Sequence, residues 1–151
     1  MPHLRPARVL EEFSSYLQSE VRPAIDDEFV SGQVGSMSST LSYLARELAG
    51  KGEVTERQRA TLEAGLREVA EECDDEAVRE RATAARERVT EAAEDDPNEL
   101  EATLVEVAND VLDAINAELD GAAARAAREP LYEFLRVRVE GQLEMLGRDA
   151  E

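Results

Sequence analysis

The stretch DEFVSGQVGSMSSTLSYLAREL, Asp27–Leu48, decides how this chain folds. From Phe29 to Ala45 it carries no charged residue, although 34% of the chain is charged and about six charges are expected in such a window. Six of its residues are Ser or Thr and two are Gly, so it is small and uncharged without being greasy. Val30, Val34, Met37, Leu41, Leu44 and Leu48 alternate spacings of four and three. That heptad-like seam predicts a helix from roughly Asp27 to Leu48 with this face toward the core, ended by Gly50 and Gly52. On its other side Gly32, Gly35, Ser36, Ser39 and Ser42 form a smooth stripe that lets a neighbour approach closely. With Tyr43 they are the candidate interface.

Outward from this helix, every neighbouring segment also reads as helical. Leu10, Phe13, Leu17 and Val21 give one apolar face from about Pro6, and Pro23 stops or kinks it. Thr55 and Gln58 read as a capping box that opens a third helix, with Leu62, Leu66, Val69 and Cys73 inward. Cys73-Asp74-Asp75-Glu76 supplies a break and an acidic first turn, followed by Val78, Ala82, Ala85, Val89 and Ala92 on one face. Asp96-Pro97-Asn98-Glu99 is the strongest start signal in the chain, an N-cap acid followed by Pro at N1 and Glu at N3. Leu100, Leu104, Val107, Val111, Ile115 and Leu119 follow it inward. Beyond Gly121 and an Ala-rich stretch, Pro130 forces a bend or a new start, and Leu131, Leu135, Val139, Leu143 and Leu146 make a last stripe.

The fold expected is therefore all-α, an antiparallel bundle of about five to six helices with no strand signal. With 151 residues the chain suits one domain: residues 1–5 frayed, 6–50 a low-charge helical hairpin, 53–146 acidic helices. Aromatics are 4% and Trp is absent, so the core must be built from Ala, Leu and Val.

Thirty-five acids stand against 17 bases, of which only Lys51 is Lys, for a net charge of −18. Residues 1–52 carry a net −2 and the remainder −16. Such a surface suits a cytosol of molar salt, where repulsion is screened within about 3 Å. A halophilic archaeal source is the leading expectation and a GC-rich bacterium the second. No basic stripe exists to release counterions from nucleic acid, and mimicry of DNA explains the acids less economically than a solvated coat. The start MPHLRPARVLEEF has no apolar core like a signal peptide's, and no window is apolar enough for a membrane span. A cytoplasmic protein is expected.

Chemistry-bearing residues are few. His3 is the only histidine, which argues against a di-iron site, an ordinary zinc site and a Ser-His-Asp triad. Cys73 lies on an inward stripe among Glu71, Glu72, Asp74, Asp75 and Glu76, where a reactive thiolate is disfavoured. The acidic clusters at 71–76 and 94–96 lack calcium-loop spacing. Arg125 and Arg128 share a helix face and could hold a phosphate, but ion pairing is the simpler use of these two and of Arg136 and Arg138. The serines of the second helix have no general base in view, and their simpler reading is close packing or back-bonding to helix carbonyls. No catalytic, cofactor-binding or metal residues are assigned.

RPARVLEEFSSYLQSEVRPAIDDEFVSGQVGSMSSTLSYLARELAG, Arg5 to Gly50, resembles the amino-terminal part of an uncharacterised helical domain family. Members of that family are often encoded beside, or named with, aminoglycoside-phosphotransferase-like kinases and acyl-CoA dehydrogenases. The shared pattern is an Arg-Pro start, a Glu-Val-x-Pro-Ala turn at Glu20–Ala24 and an Arg-Glu-Leu close at Arg46–Leu48; FLRVRVEGQLEML, Phe134 to Leu146, is similar to the family's final helix. This chain has Ser and Gly where family members carry His and Asn in the second helix. The resemblance implies a non-catalytic accessory protein to a kinase-like enzyme in acyl-CoA or hydroxy-acid metabolism. Partners expected are thus a protein, either a phosphotransferase-like kinase or a second copy, with no nucleic acid, membrane or cofactor. Two other readings are an acyl-binding bundle that opens between the second and sixth helices, and an enzyme using Arg and carboxylates in a polar cleft.

Overall fold

The computed structural model describes residues 5–92 and 96–147. These residues are all-α, in five α-helices with no strand among them. α1 spans Pro6–Tyr16, α2 Glu28–Glu72, α3 Glu76–Glu91, α4 Pro97–Glu118 and α5 Gly121–Met145. His3, most of the expected frayed terminus and the residues Glu94 and Asp95 lie outside the described residues.

The starts of these helices follow local chemistry. Asp27 caps α2 by accepting from the Val30 N–H at 2.9 Å, and Asp75 does the same for α3 with Val78 at 2.9 Å. Asp96 accepts from Asn98 N–H at 2.8 Å ahead of Pro97 at the first position of α4. Each cap satisfies an amide that the helix leaves without a partner.

The largest departure from the sequence pattern is α2, a single helix of 45 residues. Gly50 and Gly52 do not end it, and Thr55 and Gln58 are not a capping box but fully buried positions within it. Two helical glycines cost about 1 kcal/mol each against Ala, less than breaking a helix that buries Val54, Leu62, Leu66 and Val69 farther along.

Described by contacts, the chain divides into two compact units, one of residues 5–51 and 145–147 and another of 52–92 and 96–144. This is finer than the one domain expected, and the boundary falls inside α2.

The second unit holds the main core. Leu62, Leu66 and Val69 of α2, Val78, Ala82, Ala85 and Val89 of α3, Leu100, Leu104, Val107, Val111 and Ile115 of α4, and Leu131 and Phe134 of α5 form one cluster. Its helices run antiparallel. A Cβ on Gly65 would stand 2.8 Å from the Pro130 carbonyl, and one on Gly141 would overlap Val54, so eleven steps back on α2 match eleven forward on α5. Pro130 lies inside α5, not at a new start, and Gly65 lets α2 approach the backbone there. Of the expected stripe Leu131 is fully buried, Leu135 and Leu143 are half-buried, and Val139 and Leu146 are exposed; the buried face of α5 is Ala124, Ala127, Leu131, Phe134, Gly141 and Met145. Phe134, the largest fully buried side chain, sets that rotation. Arg138 lies on the same side and meets the buried Glu101 at 3.2 Å.

The first unit is a helical hairpin. α1 widens into a π-helical turn at Leu17–Val21 and a short 3-10 turn at Arg22–Ala24 before the chain reverses into α2. Arg22 keeps α geometry (φ −57°, ψ −45°) and the chain becomes extended only at Ile25 (φ −99°, ψ 118°); Pro23, with no amide to donate, weakens the helical hydrogen bonding just before that break. Ser14 and Ser38 lock the two helices: each hydroxyl donates to the other residue's carbonyl, at 2.8 and 2.9 Å, and the oxygens stand 3.0 Å apart.

Candidate functional site

In the hairpin, the inward face of α2 is turned by about one residue from the expected one. Ser38 and Ala45 are buried, with Ser31, Val34 and Leu41 half-buried on the same stripe. Of the expected core face, Val30, Met37, Leu44 and Leu48 are instead exposed, and only Val34 and Leu41 keep part of their expected role. The exchange of hydrogen bonds between Ser14 and Ser38 favours this rotation, because small polar residues allow the close approach those bonds need. On α1 and the π-helical turn after it, Leu10, Leu17 and Val21 are half-buried as expected, but Phe13 is exposed.

The other side of the hairpin carries an open groove of about 820 Å³. All six candidate interface residues, Gly32, Gly35, Ser36, Ser39, Ser42 and Tyr43, line it. Ser14, Gln18 and Arg22 face them from the first helical segment, and Arg46 and Leu146 complete the lining. Among the described residues no carboxylate lines this groove, although the chain has twice as many acids as bases.

Two arginines give the groove its charge, and both rest on glycine. The Arg22 guanidinium lies so close over α2 that a Cβ on Gly35 would stand 3.1 Å from its Cζ. Its Nη1 donates weakly to Gln18 Oε1 at 3.4 Å. Arg46 lies against Gly147, whose φ of +71° is the left-handed conformation that glycine adopts readily; a Cβ there would stand 2.8 Å from Nη1. Neither arginine has a carboxylate within ion-pair distance among the described residues. Gly35 and Arg46 are eleven positions apart on α2, so the two cations sit roughly 16 Å apart along the groove.

The hydroxyls contribute less than their number suggests. Ser36 donates to Gly32 O at 3.3 Å and Ser39 to Gly35 O at 3.1 Å, so both protons are used within the helix. Ser42 and Tyr43 lie one turn before Arg46 and can share an anion with it. No base lies beside any of these hydroxyls in the groove lining. The described lining thus offers two guanidiniums and a floor of small residues.

Elsewhere the residues considered for chemistry have structural roles. Cys73 is half-buried and packs against the core cluster. Arg136 pairs with Glu133 and Arg138 with Glu101, whereas Arg128 donates to the Asn116 side-chain oxygen at 2.6 and 3.0 Å instead of to an acid. Arg125 makes no ion pair among the described residues. Arg57 and Glu144 form a two-pronged pair at 3.1 and 2.6 Å, and that hydrogen bonding holds the Glu144 carboxyl below its ordinary range. Among the described residues no three His, Cys, Asp or Glu side chains converge as a metal would need, and no helix is long and apolar enough to cross a membrane. A smaller cavity of about 240 Å³ in the second unit is lined by Val69, Leu119, Ala127 and Pro130 but also by Glu68, Glu72, Asp74 and Asp75. That is below the size of ordinary small-molecule pockets, and its acids suit an acyl chain poorly.

Arg22 and Arg46 were not among the residues singled out from sequence. The signal was present: Arg46 follows Ser42 by four on the smooth stripe, and Arg22 sits at the helix break before Pro23. No protein-family profile, no curated protein and no solved structure matches the chain.

Proposed function

We propose that this protein is a non-catalytic accessory module that docks a protein partner in the hairpin groove, with Arg22 and Arg46 receiving acidic side chains of that partner. The observation that carries this reading is a groove whose described lining has two guanidiniums and no carboxylate, on a chain of net charge −18. Glycines and serines along its floor suit a helix laid closely against it, and arginines pair well with carboxylates at such an interface. The similarity of Arg5–Gly50 and Phe134–Leu146 to the helical family described above supports a phosphotransferase-like kinase as the partner class. The acidic, Lys-poor surface supports a salt-rich cytoplasm of halophilic archaeal type as the setting.

The test is capture of partners at native salt by the tagged full chain, compared with the Arg22→Glu/Arg46→Glu double variant and with Gly35→Leu. A specific protein retained by the wild type and lost from both variants, with helical circular dichroism unchanged, is the expected result. Equal retention by all three would refute the groove as the docking site.

A further inference from the structure

The opposite side of the hairpin carries a second, chemically different surface. Val30, Met37 and Leu44 recur every seven residues along one side of α2, joined by Leu48, and are 42, 56, 38 and 62% exposed. Phe13, 57% exposed, adds to this side from α1. None of the five lines the groove. They are half of a coiled-coil-type seam: Val34 and Leu41, the alternate members, are partly covered, while these members are left open.

We propose that the chain pairs with a second copy of itself across this seam, the two α2 helices antiparallel with Met37 at the two-fold axis. The charge pattern singles out this register. Met37 is the midpoint of the charge-free window, eight residues from Phe29 and eight from Ala45. Antiparallel pairing about Met37 therefore lays the window upon itself, so that some 25 Å of helix from each copy meets without one charged residue. The same register sets Val30 against Leu44 of the other copy and Met37 against Met37, a self-complementary contact of small against large with an adaptable thioether at the centre. Any shift from this register brings charged turns into the seam; a parallel pair in register would also overlay the window, but it sets the two helix dipoles side by side in the same direction, which the antiparallel pair avoids.

Electrostatics also select a second copy. Two chains of −18 repel, and the region of residues 1–52, at −2, is where they can meet at least cost. The hairpin unit needs such a cover. Among its described residues only Ser38, Ala45 and Met145 are buried, too little for a core of its own. The exposed residues of the seam amount to roughly 400–500 Å² of surface, comparable to the largest apolar patch of an ordinary single chain, a patch that is often functional. Because both apolar burial and relief of repulsion improve with salt, the pair strengthens as salt is raised.

The experiment is sedimentation equilibrium of the full chain at 0.15 M and about 2 M salt, where repulsion is largely screened. The expected mass is twice the 16.6 kDa of one chain, with tighter association at the higher salt. Met37→Glu is expected to return it to a single chain, with its helical signal and its retention of groove-bound partner unchanged. As a check independent of disruption, Met37→Cys with Cys73→Ser is expected to join two chains through a short bismaleimide, and Ser39→Cys on the groove side is not. A single-chain mass at both salts, a pair indifferent to Met37→Glu, or equal cross-linking from position 39 would overturn the proposal. Since the groove shares no residue with the seam, either surface can fail its test while the other stands.

Discussion

Gln58 offers the sharpest energetic test of the fold. It lies within α2, fully buried between the equally buried Thr55 and Leu62, and neither its amide nitrogen nor its amide oxygen has a hydrogen-bond partner among the described residues. A buried polar group without a partner costs about 1–3 kcal/mol relative to an apolar group of the same shape. Met matches Gln closely in length and volume, and a helix interior favours both about equally. Gln58→Met should therefore stabilise the protein by about 2 kcal/mol. In a chain of this size that raises Tm by roughly 4–8 °C. Urea unfolding followed by circular dichroism at constant salt measures it, and the midpoint should rise with little change of slope. Gln58→Ala separates the two contributions, because it removes the same polar atoms but leaves a cavity, and it should gain much less or lose. A Met variant equal to or weaker than the wild type would refute the reasoning, since it would mean the amide is well satisfied.

Three further outcomes follow from single contacts. Gly50→Ala and Gly52→Ala should each stabilise by about 0.5–1 kcal/mol in the same unfolding assay, because nothing lies within 4 Å of a Cβ at either position in the continuous α2. Gly141→Ala should instead destabilise by about 1–3 kcal/mol, since its methyl would overlap the stiff Val54 side chain, and a neutral result would contradict the close packing of α5 on α2. Glu144 has a lowered pKa because Arg57 hydrogen-bonds its charged form, so the pair's stabilising effect is present at neutral pH and lost as acid takes the pH below the ordinary carboxylate value. Both side chains are about half exposed, so Arg57→Gln should cost less than about 1 kcal/mol at pH 7, and the difference from wild type should vanish in acid and in molar salt.

The parts of the fold that read correctly from sequence are those set by local chemistry. Asp96 followed by Pro97 has only one good use, and the stripe from Leu100 to Ile115 has no competing face. The errors arose where tertiary contacts outweighed local preference. Gly50 and Gly52 are stop signals by propensity, yet the helix runs through them because its later turns are anchored in a core. In the hairpin two stripes of equal periodicity competed, and hydrophobicity favoured Val30, Met37 and Leu44 as the inward one. The reciprocal bonds of Ser14 and Ser38, residues 24 apart in sequence, tipped the helix the other way, and no single-helix pattern carries that information. The same rotation exposes the seam and opens the groove. The five Gly and Ser residues of the groove stripe were legible because such residues are rare company on a buried face. Its arginines gave a weaker signal, because Arg22 enters the groove only through the fold of the hairpin that lays it over Gly35, and Arg46 is held there by its contact with Gly147.

The most direct measurement is site-specific photo-cross-linking in the native host at its own salt, with a benzophenone amino acid at Ser39 in the groove and, as control, at the exposed Glu80 of α3. A discrete protein adduct from position 39 alone, lost when Arg22 and Arg46 are both changed to Glu, is the predicted result. No discrete adduct from position 39, or one that persists without the two arginines, would contradict a docking role for the groove.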